Sequence, residues 1–316
     1  MACKQQITEI DETLEEFYQD CRINGFCKSS IENYRSCLKI WQRFLAERGI
    51  CELSDLTRGN LREYNGYLQM SYRSKNGKPL ATTTIARRLT VLRSFLSFCV
   101  RVEKLLINPE QALPTPRLPR SLPKGVLSKQ QVKKLLRLPN TRTLLGFRNR
   151  AILELFYATG IRRNELITIK VAHCHLSERR IFIKEGKYGT QRWVPVGKKV
   201  TEILRRYLQE IRPGLLNGKG HDFLFVGYRG GKLSGKGVYA VVKHYMNELN
   251  IDSACHGLRH TCATHLLKGK ANVRVIQSLL GHRSLCSTQI YTHVDISEMA
   301  RAIQKAHPRE RMSFQE

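Results

Sequence analysis

Five of the ten prolines of this 316-residue chain fall within fifteen residues, at Pro109, Pro114, Pro116, Pro119 and Pro123. Proline has no amide hydrogen and a fixed φ, so no regular helix can run through this stretch. The chain is also longer than a single hydrophobic core usually serves. We therefore expect two domains, residues 1–108 and 126–316, joined by an extended and basic linker over residues 109–125.

The chain carries a large excess of positive charge. Lys and Arg number 54 against 26 Asp and Glu, which gives a formal net charge of +28 at pH 7. A surplus of this size indicates a polyanionic partner. Because the basic residues are spread along the chain, an anionic membrane surface is disfavoured. Charge alone leaves a DNA enzyme, a soluble basic protein and a ribosome-associated protein as alternatives.

The spacing of the cysteines and the hydropathy of the chain indicate the cellular compartment. No run of about eighteen apolar residues predicts a transmembrane helix, and the polar, acidic N-terminus is unlike a signal peptide. The ten cysteines lack paired spacing, which is typical of reduced thiols in a cytoplasm. His173-Cys174-His175 resembles half of a metal site, but no second pair lies at zinc-like spacing. We expect a cytoplasmic protein without a metal site.

Residues 1–108 predict an almost entirely helical domain. Ser30 can cap a helix, residues 61–70 predict a second helix, and Thr82 or Thr83 can begin a third. Apolar side chains recur in the first and third helices at steps of three and four, as a buried stripe requires. These positions are Ile31, Tyr34, Leu38, Trp41 and Leu45, then Ile85, Leu89, Leu92, Leu96 and Cys99.

The second domain combines helices with one hairpin, so we expect a mainly α protein with a small β-sheet (α+β). Ser128 begins a helix, Gly160 ends another, and residues 237–250 predict a further helix. Residues 180–184 and 191–196 alternate like strands around a turn at residues 186–189.

Residues 254–294 predict two amphipathic helices and a short segment that carries a tyrosine. His256 and Arg259 lie one turn apart, while Leu258, Cys262 and Leu266 face the core. Asn272 can cap the second helix, and Gly281 can end it. Its expected buried stripe is Val273, Ile276, Leu279 and Leu280. His282 follows directly, and Tyr291 lies near the end of the last segment.

These residue types suit one kind of chemistry. An Arg offers a planar fork of donors to phosphate oxygens, and a His can exchange protons near neutral pH. A Tyr hydroxyl can act as a covalent nucleophile once its proton is removed. Taken together they indicate phosphoryl transfer through a phosphotyrosine without a metal. Each residue alone is a weak signal, because a single helical His, Arg or Tyr is usually structural.

Three patterns in this stretch together resemble the C-terminal signature of the tyrosine recombinase, or phage integrase, family in its Xer-like branch. They are H-x-x-R-H-x-x-A-T-H-L-L from His256, I-Q-x-L-L-G-H ending at His282, and T-Q-I-Y-T-H-V around Tyr291. The resemblance implies that Tyr291 is the nucleophile and that His256, Arg259 and His282 surround the scissile phosphate.

Two further patterns of the same family occur earlier in the chain. Residues 159–166 match T-G-(L/I)-R-x-x-E-L, which implies Arg162 as the first active-site arginine and Glu165 as a supporting carboxylate. Arg163 is adjacent, and the spacing to Glu165 decides for Arg162. Residues 186–195 match G-K-x-x-x-x-R-x-V-P, which implies Lys187 as the mobile catalytic lysine, with Lys184 as its competitor.

The resemblance also covers the first domain, where residues 83–95 follow the T-x-x-x-R-R-L-x-x-L-R-S-F register of a core-binding domain. It implies DNA binding there, although an outward Arg is often only a solubilising charge. A basic linker can also follow a phosphate backbone. The candidate DNA-binding residues are Arg87, Arg88 and Arg93 in the helix and Arg117, Arg120 and Lys124 in the linker.

The family implies a site-specific recombinase that cuts and rejoins duplex DNA through a 3′-phosphotyrosine and a four-way junction. It would need no cofactor, metal or ATP, and would act as a homotetramer on DNA in a prokaryotic cytoplasm. An accessory protein or second recombinase remains open. The apolar stripe Ile296, Met299, Ala300 and Ile303 either packs on its own domain or docks into a neighbouring subunit, and the family favours docking.

This chain departs from the family at two places that carry no chemistry. Gly257 replaces a frequent acidic residue, and Cys262 replaces an aromatic residue, so we expect looser packing there. Three other function classes stay open: a type IB topoisomerase, a DNA-binding module without catalysis, and an RNA- or ribosome-binding protein. Relaxation of non-cognate plasmid, loss of covalent adducts, and competition by structured RNA respectively distinguish them.

Overall fold

A computed structural model describes residues 8–74, 76–107, 109, 113–114, 125–184, 191–281 and 296–312 of the chain. It divides into two compact units, Met1–Arg120 and Ser121–Glu316. Most of the expected linker over residues 109–125 lies outside the described residues, so its conformation stays a prediction. In the part of the chain that is described, no helix has the length and apolarity needed to cross a bilayer.

The described part of the N-terminal unit contains four α-helices. They are α1 (Glu9–Ile23), α2 (Lys28–Ala46), α3 (Arg58–Gly66), which continues into a π-helical turn (Tyr67–Ser71), and α4 (Thr82–Arg101). Thr8 and Thr57 cap α1 and α3 with reciprocal side-chain bonds to the third residue of each helix. The stripes of α2 and α4 meet in a core that includes Trp41, Phe44 and Phe95.

The start of α2 differs from the sequence expectation. We predicted Ser30 as the cap, but the helix begins at Lys28, after Cys27 in an extended conformation. The Ser30 amide already donates to the Cys27 carbonyl oxygen at 2.8 Å, which places Ser30 inside the first turn. Its hydroxyl lies 3.1 Å from the Cys27 sulfur, so it does not cap the backbone. The predicted inward stripe of α2 is otherwise confirmed, except that Tyr34 is half-buried.

The C-terminal unit is mainly helical with one small sheet, which confirms the expected α+β class. Its helices are α5 (Lys129–Arg137), α6 (Leu144–Thr159), α7 (Arg163–Thr168), α8 (Lys198–Arg206), α9 (Arg212–Leu216), α10 (Gly235–Glu248), α11 (Cys255–Lys268), α12 (Val273–Leu280), α13 (Ile296–Ala306) and α14 (Pro308–Arg311). A 3₁₀ turn (Val171–His173) precedes the sheet, and a π-helical turn (Tyr207–Ile211) joins α8 to α9.

Helix α6 forms the centre of this unit. Every residue from Ala151 to Thr159 is buried, because α6 packs against α5, α8, α10 and α11 around its circumference. A helix that is buried all round must carry apolar residues on all faces, and the run AILELFYAT does so apart from Glu154 and Thr159. The path of α6 therefore fixes where its last residues, and the segment after them, can lie.

The predicted pairing of the two hairpin strands is confirmed, whereas the predicted turn at residues 186–189 lies outside the described residues. Strand β2 (Arg180–Ile183) pairs antiparallel with β3 (Arg192–Pro195), with Ile181 opposite Val194 and Ile183 opposite Arg192. A short strand β1 (Cys174–His175) adds to the other edge of β2. The sequence did not predict β1, because two residues are too few to show an alternating pattern.

Helix α12 begins after Asn272, whose side chain accepts from the Arg274 amide, as expected. Its buried stripe is Val275, Ile276, Leu279 and Leu280, whereas Val273 is 54% exposed. The prediction that Val273 is buried was therefore wrong. At 3.6 residues per turn, Val273 lies roughly 90° from the centre of that stripe.

Helix α13 packs on its own unit, against α11, α12 and β3. Met299 and Ile303 are buried there, whereas Ala300, which we expected on the apolar stripe, is exposed. Of the two alternatives for this stripe, the structure therefore shows packing within the chain. Docking of this helix into a neighbouring subunit stays a prediction.

The segment after α13 is anchored to α6 by a buried ion cluster. Glu154 is completely buried and accepts from Arg309 Nε at 2.5 Å and Nη2 at 2.9 Å. It also accepts from Arg150 Nε at 2.8 Å. A buried carboxylate needs cationic partners, and the ion pair of Glu154 with Arg309 therefore holds α14 against α6.

We expect Arg309→Ala to destabilise the C-terminal unit by about 3–5 kcal/mol, because it removes one partner of a buried charge. Arg206→Ala is the matched control, since Arg206 forms an exposed pair with Glu210 within α8 and its turn. That control should cost less than about 1 kcal/mol. Urea unfolding of both full-length variants measures the difference. Equal losses of unfolding free energy would contradict the anchoring role.

His307 makes stability depend on pH. Its Nε2 lies 3.1 Å from the Tyr157 carbonyl oxygen, and its Nδ1 accepts from the Arg309 amide, so the neutral ring uses both nitrogens. Burial lowers the pKa of His307 to about 3. Below pH 6.5 the unfolded chain therefore binds a proton that the folded chain does not, and stability falls as the pH falls.

From pH 7 to pH 5 this one group should remove about 2 kcal/mol of unfolding free energy. His307→Asn keeps an acceptor but does not titrate, so its free energy of unfolding should decline less over the same range. Urea titrations of both proteins at the two pH values test this. Identical declines would show that His307 is protonated equally in the two states.

Candidate active site

Gly160 turns the chain from α6 towards the candidate site. Its φ is +60°, a left-handed conformation that favours glycine, and it ends α6 as predicted. A Cβ at this position would lie 2.5 Å from the Leu280 side chain, so only glycine allows α12 to approach this closely. The next residues place Arg162 immediately before α7, where it is the N-cap residue.

Glu165 binds two arginines at once. It is 1% exposed, and its carboxylate accepts from the backbone amide of Arg162 at 2.7 Å and from Arg162 Nη1 at 2.9 Å. Arg192 donates to both carboxylate oxygens, at 2.9 and 3.0 Å. Burial by itself raises the pKa of Glu165, but the hydrogen bonds and charge of Arg192 and Arg162 hold that pKa below its usual value.

Three guanidinium groups converge on the C-terminal end of α12. The Leu279 carbonyl oxygen accepts from Arg192 at 3.1 Å, that of Leu280 from Arg259 at 2.8 Å, and that of Gly281 from Arg162 at 2.8 Å. The last carbonyls of a helix lack partners within it, and the helix dipole makes this end attractive to cations. We call Arg162, Arg192, Arg259 and Glu165 the arginine cluster.

Two constraints require glycine at position 281. Its φ of +65° ends α12 in the left-handed conformation, as the sequence predicted. A Cβ there would also lie 3.0 Å from the guanidinium carbon of Arg192. The residue that follows in the sequence is His282.

Arg259 is held on both sides. It projects from α11 and is 6% exposed, with one Nη donating to the Gly160 carbonyl oxygen at 2.6 Å and the other to Leu280. Burial, and then the neighbouring charge of Arg162, lower the pKa of Arg259 to about 10. The group is still charged at neutral pH, so the cluster has three cations against one carboxylate.

His256 lies in the first turn of α11, one turn before Arg259, and its side chain is exposed. Partial burial, then the neighbouring His260 and Arg259, lower the pKa of His256 from its usual value. Its imidazole is therefore neutral at pH 7 and can accept a proton.

The start of α11 is closely packed. A Cβ on Gly257 would come within 1.8 Å of the Ser253 hydroxyl oxygen and 2.9 Å of the Gly125 carbonyl oxygen. Cys262 is completely buried. Our expectation of looser packing at these two positions was wrong, because neighbouring residues fill the space.

The chain resembles known proteins over most of its length. Residues 125–298 match the phage integrase family, and residues 14–103 match the SAM-like N-terminal domain of phage integrases. The chain is 36% identical over 297 residues to the tyrosine recombinase XerC 2 of Ralstonia nicotianae, which covers 93% of this chain and 85% of that protein. The chain belongs to the phage integrase family.

Two further known proteins also match most of this chain. The tyrosine recombinase XerD of Staphylococcus saprophyticus is 34% identical over 304 residues, with 95% of this chain and 100% of that protein covered. In structure, a lambda integrase tetramer bound to a Holliday junction aligns with a TM-score of 0.65 at 18% identity. That alignment covers 91% of this chain and 80% of that one, and shows the shared fold.

Of the site residues expected from the family patterns, the structure brings Arg162, Arg259 and Glu165 together. Lys187, His282 and Tyr291 lie outside the described residues, so their places stay predictions. Lys184, the competitor of Lys187, is exposed just after β2.

The candidate DNA-binding arginines of α4 differ among themselves. Arg87 is exposed, and Arg88 is half-buried with its guanidinium 5.8 Å from the Tyr72 ring. Arg93 donates to the Leu113 carbonyl oxygen of its own unit. Arg117, Arg120 and Lys124 lie outside the described residues. Of the three candidate arginines of α4, Arg87 is therefore the one most available to a phosphate.

Sequence reasoning missed Arg192 as a site residue. It stands in the G-K-x-x-x-x-R-x-V-P pattern, but no role was assigned to it. A usable signal was present, since Arg192 shares a strand face with Val194 and Val196, both of which are buried. A cation on a buried face needs a buried partner, and that partner is Glu165.

Where side chains are described, no three His, Cys, Asp or Glu residues group as a metal site requires. In the His173-Cys174-His175 run, His173 Nδ1 accepts from the Lys170 amide at 3.2 Å. His175 lies 3.5 Å from Glu178.

We expect the His256 ring to titrate below pH 6.5 in the free protein. Arg163 is exposed beside it and contributes to lowering its pKa, so Arg163→Gln should move that pKa upward. Arg180→Gln removes an equal charge from β2 and should leave it unchanged. NMR titration of labelled histidine measures all three proteins. A His256 pKa at or above 6.5 in the wild type would contradict the electrostatic account.

Proposed function

We propose that this chain is a site-specific DNA recombinase that cuts and rejoins duplex DNA through a 3′-phosphotyrosine intermediate. The observation that carries the proposal is the arginine cluster at the end of α12, directly before His282 in the sequence. Membership of the phage integrase family and the tyrosine recombinases among the relatives support it.

The cluster suits a phosphodiester. Among the described residues, Arg162 and Arg259 each donate two of their five N–H groups to protein acceptors, so three on each have no acceptor there and can face a ligand. During attack on phosphorus, negative charge grows on the non-bridging oxygens. Donors that are already fixed stabilise this charge without reorganising. We assign Arg162 and Arg259 to those oxygens, and His282 to a further hydrogen bond.

The proposed chemical step moves one bond and one proton at each end. The Tyr291 oxygen bonds to phosphorus, and its proton passes to His256, which is neutral at pH 7. The bond from phosphorus to the 5′ oxygen breaks, and Lys187 supplies a proton to that oxygen. A 5′ hydroxyl of another strand then reverses the step. Since one phosphate ester replaces another, no ATP is consumed.

The assembly is also part of the proposal. A lambda integrase tetramer on a Holliday junction has this fold, so we propose a homotetramer that exchanges two pairs of strands through a four-way junction. If the C-terminal helix is shared between subunits, a neighbour's α13 must reproduce the contacts that Met299 and Ile303 make here. Exposed basic residues such as Arg87 would contact the DNA backbone.

We expect Tyr291→Phe to bind a cognate duplex as tightly as the wild type but to form no covalent adduct, because the nucleophilic oxygen is gone. Tyr228→Phe is the matched control, since Tyr228 is 71% exposed on a loop and should leave adduct formation unchanged. A nicked suicide substrate traps the adduct, and denaturing gel electrophoresis measures it.

Two outcomes would contradict the proposed function. If the wild type forms no adduct on DNA that it binds, the enzyme proposal is lost and a non-catalytic binding module remains. If adducts form on any duplex and non-cognate plasmid is relaxed, the protein acts as a type IB topoisomerase.

A further inference from the structure

Arg192 is the arginine of the cluster that the proposed chemistry does not use. Its side chain is 11% exposed, and it lies at the start of β3, five residues after Lys187 in the sequence. It makes a two-pronged ion pair with Glu165 and donates from Nε to the Leu279 carbonyl oxygen. One guanidinium thus joins three segments: β3, the start of α7 and the end of α12.

We propose that Arg192 is a positioning residue that sets where Arg162 presents its guanidinium to the phosphate, and that it acts through Glu165. This inference rests on the proposed function. Glu165 reaches Arg162 through both a backbone amide and a side-chain nitrogen, so a rotation of the carboxylate moves Arg162 directly. Arg192 blocks that rotation because it occupies both carboxylate oxygens.

The contact with Leu279 extends the same constraint to α12. Arg162 and Arg259 also depend on that helix end, through the carbonyl oxygens of Gly281 and Leu280. If Arg192 is lost, the end of α12 keeps two of its three arginines, and Glu165 keeps one of two. The positions of Arg162 and Arg259 relative to each other are then less constrained.

Charge reinforces the geometry. The cations that face Glu165 are Arg162 from the start of α7, Arg192 from β3 and Arg259 from α11, whose own pKa responds to Glu165. Arg192 makes the largest contribution that holds the pKa of this buried carboxyl low. Without that charge the carboxyl accepts a proton at higher pH, and a protonated carboxyl no longer accepts both hydrogen bonds that Arg162 still donates.

The test compares three variants in the full-length protein. Arg192→Gln removes the charge and the fork, Arg192→Lys keeps the charge but loses the fork, and Arg180→Gln is the control. Arg180 lies on the neighbouring strand β2, where it stacks on Trp193 at 4.2 Å and pairs with Glu178. Arg180→Gln therefore removes the same charge from the same hairpin without touching Glu165.

The readout is the rate of adduct formation on nicked duplex DNA between pH 5 and pH 9, with DNA affinity measured separately. We expect Arg192→Gln to slow the step about 100-fold at pH 8, since small misplacements of reacting groups have effects of that size. As the pH is lowered, the rate of Arg192→Gln should begin to decline at a higher pH than the rate of the wild type does. Arg192→Lys should be slower than the wild type with an unchanged pH profile.

A double-mutant cycle shows whether Arg192 acts through Glu165. If it does, Arg192→Gln combined with Glu165→Gln should be no slower than Glu165→Gln alone. Additive losses, or an Arg192→Gln rate equal to that of Arg180→Gln, would overturn the inference. If Arg192→Gln does not fold, an Arg192→Lys rate equal to the wild type overturns it as well.

The controls separate the two proposals. A wild type without any adduct rejects the proposed function itself. A wild type that forms the adduct, with Arg192 variants that match Arg180→Gln, rejects only the role of Arg192.

Discussion

In the C-terminal unit, a buried carboxylate and the unpaired carbonyl groups at the end of a helix both bind the same buried arginines. Glu165 cannot be buried as an anion without cations, and guanidinium groups cannot be buried without acceptors. The last carbonyls of α12 supply those acceptors, and Glu165 supplies the counter-charge. Under the proposed function, the donors are therefore fixed before a phosphate binds, which is the condition for electrostatic stabilisation of a transition state.

The rest of the unit serves this arrangement through α6. Its end at Gly160 provides an acceptor for Arg259, and its interior carries Glu154, which holds the segment after α13. The C-terminal segment is thus attached to the helix that positions the site. Any process that moves α13 and α14 must also break the Glu154 ion cluster, so the position of that segment and the packing of α6 are energetically coupled.

Local signals were enough to predict much of this structure. Gly160 and Gly281 were read correctly as helix ends, because a left-handed residue at a helix terminus has a strong preference for glycine. The hairpin and the buried stripe of α11 followed from their periodicity. The choice of Arg162 over Arg163 rested on spacing to Glu165, and the structure shows Arg162 bonded to Glu165 while Arg163 is exposed.

The features that were missed depend on packing between distant segments. Arg192 joins residues 27 and 87 positions away in the chain, and no local pattern encodes such a contact. The same holds for α13, whose amphipathic sequence shows that a face is buried but not which surface covers it. Ser30 failed as a cap because Cys27 is already the N-cap residue of α2, a difference of three residues that propensity alone does not resolve.

The central claim is that the arginine cluster at the end of α12 holds the scissile phosphate. A crystal structure of the covalent complex, trapped on nicked duplex DNA, tests it directly. We predict a 3′-phosphate joined to Tyr291, with non-bridging oxygens at about 2.7–3.2 Å from the guanidinium nitrogens of Arg162 and Arg259. A trapped phosphate that neither arginine reaches, or one attached to a different residue, would contradict the account.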